Sequence, residues 1–79
     1  MKITVADLRR VLESPMTEPN LLLVGGRLII VPAASLGHNP GAMTVTSRAE
    51  LRAKLGEPTD AELAAHAALL GAAISILGA

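Results

Sequence analysis

The sequence predicts an α+β domain, and three observations carry that prediction. Two apolar runs, Leu21-Leu22-Leu23-Val24 and Leu28-Ile29-Ile30-Val31, are joined by Gly25-Gly26-Arg27, a strong hairpin signal. Ahead of them, Thr4 and Asp7 open an apolar-periodic stretch that stops at Ser14-Pro15. Behind them, Ser47-Arg48-Ala49-Glu50 and Thr59-Asp60-Ala61-Glu62 each place Glu three residues after a Ser or Thr N-cap. Helix, hairpin and helical pair follow in that order.

In the first helix Thr4 is the N-cap, Asp7 is N3, and Ile3 with Leu8 forms a hydrophobic staple. The helix runs to about Glu13 and buries Val5, Leu8, Val11 and Leu12; Arg9 and Glu13 stand at i,i+4. Pro15 ends it, because the residue before a proline leaves the helical region. In the hairpin, a two-residue turn needs positive φ at both glycines and sets Leu23 opposite Leu28, Leu22 opposite Ile29 and Leu21 opposite Ile30. Neither strand alternates apolar with polar, so both hairpin faces need cover, and Pro32 stops the pairing. Cover is expected from another chain's sheet edge or from a helix laid over the outer face.

Residues 32–46 read as a connector with a turn at Asn39-Pro40-Gly41. Inside it, Met43-Thr44-Val45-Thr46 alternates and supplies a short third strand. The second and third helices are separated by Gly56, a C′ residue, and Pro58. The last helix runs from Asp60 to about Leu77. The 79 residues therefore make one domain: helix plus hairpin in 1–31, connector in 32–46, helical pair in 47–79. The echo of residues 4–15 in residues 47–58 reads as two ordinary capped helices rather than a repeat.

Composition removes several function classes. Seven Lys and Arg balance seven Asp and Glu, which disfavours a nucleic-acid or anionic-membrane binder acting through bulk charge. The chain has no Cys, hence no disulfide, thiol nucleophile or cysteine metal site, and no Phe, Trp or Tyr to stack on bases. Asp7, Arg9 and Arg10 interrupt the place where a signal peptide would be apolar, so no signal peptide is expected. Residues 63–79 carry no charge, but they lack flanking Lys, Arg or aromatic anchors and read as a buried helix rather than a membrane span.

No catalytic, metal or cofactor residue is assigned. His38 and His66 have no partner at metal-ligand spacing, and His66 reads as a half-buried residue satisfied by Glu62 or by backbone. Ser14, Ser35, Ser47 and Ser75 lack a nucleophile-elbow context, and Gly25-Gly26-Arg27 lacks the ending of a phosphate loop. Residues 51–70 have the outline of a helix-turn-helix, yet the second helix opens with Asp60 and Glu62, which phosphates repel. A DNA-binding regulator is the rival reading, and a membrane-associated small protein a third.

What the sequence does encode is association. Half of the residues are hydrophobic, more than a 79-residue core can absorb, so the isolated chain is expected to self-associate. On the last helix Leu63, Leu69, Leu70, Ile74, Ile76 and Leu77 form a bulky arc expected to dock on the domain. The opposite arc, with Ala64, Ala68, Gly71 and Ala72, is expected to admit close approach of another subunit. Leu22 and Ile29 are the hairpin residues expected at a partner contact.

Residues 44–79, with Glu50-Leu51, Leu55-Gly56, Thr59-Asp60-Ala61-Glu62, Leu69-Leu70 and Ala73, resemble the opening of tailed-phage head–tail connector (adaptor) proteins. That resemblance implies a non-enzymatic virion subunit in a ring around the DNA exit, found in the particle or the host cytoplasm, and brings no catalytic residues. Connector chains continue through further helices, and residues 1–43 have no counterpart in them. The partners expected are other protein subunits, as a homo-oligomer or larger complex, with neither nucleic acid nor membrane bound directly.

Overall fold

A computed structural model describes residues 2–39 and 41–77; Pro40, part of the expected connector turn, lies outside them. The order is α1 (Val5–Glu13), β1 (Pro19–Val24), β2 (Arg27–Pro32), a 3₁₀ helix (Ala33–His38), β3 (Met43–Ser47), α2 (Arg48–Leu55) and α3 (Asp60–Ile76). The fold is α+β, with a three-stranded antiparallel sheet ordered β2-β1-β3.

Local chemistry sets each boundary. Thr4 accepts from the Asp7 N–H (3.2 Å), and the Asp7 carboxylate accepts from the Thr4 N–H (2.9 Å), completing the box at α1. Thr59 and Glu62 do the same at α3. The box expected at α2 is half formed. Ser47 accepts from the Glu50 N–H, but the Glu50 carboxylate turns to Lys54 at 3.0 Å, one turn along the helix. Gly56 closes α2 at φ 65, a left-handed value that costs a residue without Cβ little.

The hairpin has the expected register, with Leu23 opposite Leu28, Leu22 opposite Ile29 and Leu21 opposite Ile30. Gly25 and Gly26 both have positive φ, as a primed two-residue turn demands. The far edge of β1 is covered by β3 of the same chain, so that part of the expected partner contact is internal. The connector is more ordered than its composition suggested. Residues 33–38 make the 3₁₀ helix, and the Ala42 N–H donates to the Asn39 carbonyl (3.1 Å) before β3 begins.

The core forms on one face of the sheet. Leu21 and Leu23 of β1 join Ile3, Leu8, Val11, Leu51, Leu63, Ala67 and Ile74, drawn from the N-terminal segment and all three helices. Leu22 points to the opposite face and is also buried. A bulge in β3 shapes this core. Leu21 pairs with Thr46 and Leu22 with Thr44, leaving Val45 as the extra residue. Thr44 and Thr46, two apart, would share a face in a regular strand. The bulge leaves Thr44 exposed and turns Thr46 inward to 1% exposure, where its hydroxyl has no hydrogen-bond partner among the described residues.

A buried hydroxyl without a partner costs stability, and Val has nearly the same shape. Thr46→Val is expected to raise unfolding stability by about 1 kcal/mol, read from denaturant titration. A loss of stability would mean that the hydroxyl is engaged.

Candidate interaction surface

The last helix is seated differently from the expectation. Leu63, Ala67, Gly71 and Ile74 are buried, with Leu70 partly so, while Leu69, Ile76 and Leu77 are exposed at 67%, 85% and 69%. The helix is therefore rotated from the bulky-arc seat. In this seat α3 packs against α1, and its Leu63, Ala67 and Ile74 share the core with Leu8 and Val11 of α1. The Arg9 guanidinium ties α1 to the start of α3 through Asp60, with Nε at 3.1 Å. That hydrogen bond holds Arg9 further above its already high pKa, so it is charged at any working pH.

Each residue expected at an interface can now be placed. Leu22 is buried in the central strand, and Ile29 is half-buried on β2. Gly71 is buried within its own chain, whereas Ala64, Ala68 and Ala72 are exposed. The three alanines line one wall of an open, mostly apolar groove of about 590 Å³; the N-terminal segment from Lys2 to Val5 lines the other.

Directly opposite the buried stripe of α3 stand Ala65, Leu69, Ala72 and Ile76, all exposed. Their spacing is four, three, four, the seam of a helix that packs along another helix at a shallow angle. Alternation of small and large residues along that seam suits interdigitation. Sequence reading placed Leu69 and Ile76 in the docked arc because the wheel alone cannot say which arc the domain uses.

Several charged groups are occupied internally. Arg48 donates to the carbonyls of Ser14 (2.8 Å) and Met16 (3.2 Å), Lys54 pairs with Glu50, and Arg9 with Asp60. Glu62 is engaged by Thr59 rather than His66, whose Nε2 is buried without a partner among the described residues. Among the described residues, no three His, Asp or Glu side chains converge on a metal-sized site, and no helix is long and apolar enough to cross a membrane. Set against family models, curated proteins and solved structures, the chain matches none.

Proposed function

We propose that this chain is a non-enzymatic structural subunit of a larger protein assembly, self-associating through the outward face of α3. The observation that carries this reading is the seam of Ala65, Leu69, Ala72 and Ile76. A helix that ended at its own domain would carry Lys and Glu on its solvent side, yet this face has no charge beyond Glu62. Leaving large apolar side chains such as Leu69 and Ile76 in water gains the isolated domain nothing, whereas burial stabilises each by about 1.5–3 kcal/mol. The likeness of residues 44–79 to phage connector proteins supplies one form of such an assembly, a virion component located in the particle or in the host cytoplasm.

The test is the Leu69→Lys, Ile76→Lys double variant. Both side chains are largely exposed in the monomer, so the variant should keep its stability within about 0.5 kcal/mol per site while losing the association that runs through α3, read by sedimentation as smaller oligomers than the parent forms. Association equal to the parent's would remove the reading. Affinity for DNA that falls steeply with added salt would favour the regulator instead.

A further inference from the structure

We propose that β2 is the seam of a two-fold symmetric dimer, in which the strand pairs antiparallel with β2 of a second copy and Ile29 lies opposite Ile29 of that copy. The surface is separate from the α3 seam and rests on its own observation, the free backbone groups of an edge strand. β2 stands at the edge of the sheet, bonded only to β1. A two-residue hairpin makes its closing pair, Val24 and Arg27, a hydrogen-bonded pair, and such pairs then alternate along the ladder. Ile29 and Val31 therefore bond inward to β1. The Ala33 N–H, donating to the Glu18 carbonyl at 3.0 Å, continues the same parity one step beyond the strand. Leu28, Ile30 and Pro32 are left with backbone groups directed outward. Among the described residues, no hydrogen bond takes up the N–H of Leu28 or Ile30.

These groups select a register. Pro32 has no N–H, so each copy offers two outward donors, Leu28 and Ile30, with their carbonyls. A two-fold axis at Ile29 sets Leu28 of each copy against Ile30 of the other, and four N–H···O bonds use every free donor. An axis at Leu28 sets each Ile30 against the turn residue Gly26, and an axis at Ile30 sets each Pro32 ring, which has no N–H, against a Leu28 carbonyl and leaves that carbonyl unpaired. The side chains agree with that choice. Leu28 and Ile30 pack against the helical core and meet across the axis on the same face, so both copies keep their helices on one side of a six-stranded sheet. Pro32 then falls opposite Gly26, where pairing stops.

The other edge is less suited to a partner. β3 is bulged, a feature that blunts strand addition. β2 pairs with β1 without a bulge, and between Arg27 and Pro32 it carries only Leu28, Ile29, Ile30 and Val31, with no charge to discourage pairing. A second copy is the occupant this edge fits because its donors, acceptors and apolar faces are self-complementary about one residue.

Residue 29 opposing itself gives a charge-swap test. In full-length chain, Ile29→Lys and Ile29→Glu each put like charges across the axis and should weaken the dimer by about tenfold or more, whereas an equimolar mixture restores a one-to-one heterodimer by native mass spectrometry. The mixture also controls for folding, since a misfolded variant cannot be rescued by its partner. Amide exchange at Leu28 and Ile30 separates this contact from association through α3. In the parent both amides should gain protection as concentration rises, lose it in either single variant, and regain it in the mixture. Oligomers in which those two amides exchange freely, single variants that protect them as the parent does, or a mixture without heterodimer would each overturn the proposal.

Discussion

Leu22→Lys is expected to abolish folding, leaving a chain without cooperative unfolding or native helix content by circular dichroism. Leu22 sits in the central strand, between Ile29 on β2 and Thr44 on β3, and is 1% exposed. Removing a buried Leu side chain costs about 2–5 kcal/mol, and an unpaired ammonium in its place adds several more. A domain of this size, at about 0.05–0.15 kcal/mol per residue, holds only about 4–12 kcal/mol in total. Ile29→Lys, half-buried on the edge strand, should by contrast remain folded. If Leu22→Lys unfolded like the parent, β1 would not be the buried centre of the sheet.

Leu63→Ala is expected to destabilise the chain by about 2–5 kcal/mol, because the side chain is fully buried and its removal leaves a cavity between α3 and the rest of the core. Each kcal/mol moves Tm by about 4–8 °C in a domain this small, so thermal denaturation reads the effect directly. Leu69→Ala, six residues along the same helix, should stay within about 0.5 kcal/mol when both are measured at a concentration where the chain is monomeric, because Leu69 of the single chain lies in solvent. The contrast tests the rotational seat of α3. Equal costs at the two positions would return the helix to the bulky-arc orientation.

Features governed by a few neighbouring residues were legible before any coordinates. Thr4 with Asp7 and Thr59 with Glu62 announce two helix starts, and both boxes are present. Gly25-Gly26 fixes a turn, and the turn fixes the pairing of Leu22 with Ile29. Where a side chain had two possible partners, sequence reading fell short. Glu50 could close its capping box or reach Lys54, and the helical pair won. Arg9 could meet Glu13 on its own helix, and it meets Asp60 across 51 residues instead.

Larger errors came from tertiary choices that no local pattern encodes. A helix wheel ranks arcs by bulk, but α3 is seated by packing against the rest of the domain, where Leu63, Ala67 and Ile74 join the core. Gly71 was therefore expected at a partner surface and is buried within the chain, while Leu69 and Ile76 were expected in the core and are exposed. The β3 bulge is a second case. Alternation in Met43-Thr44-Val45-Thr46 puts both threonines on one face, and only the pairing with β1 reveals the extra residue that sends Thr46 inward. Of the residues expected at a partner surface, Ala64, Ala68 and Ala72 stand in solvent, Ile29 is half-buried on an edge strand, and Leu22 belongs to the core.

Sedimentation velocity of the unmodified chain, over a concentration range reaching down to low micromolar, tests most directly whether this is an assembly subunit. A self-associating subunit gives a weight-average sedimentation coefficient that climbs with concentration, above the value for a single copy of 8.1 kDa. A single boundary at the monomer value throughout, from a chain that also unfolds cooperatively, would contradict it.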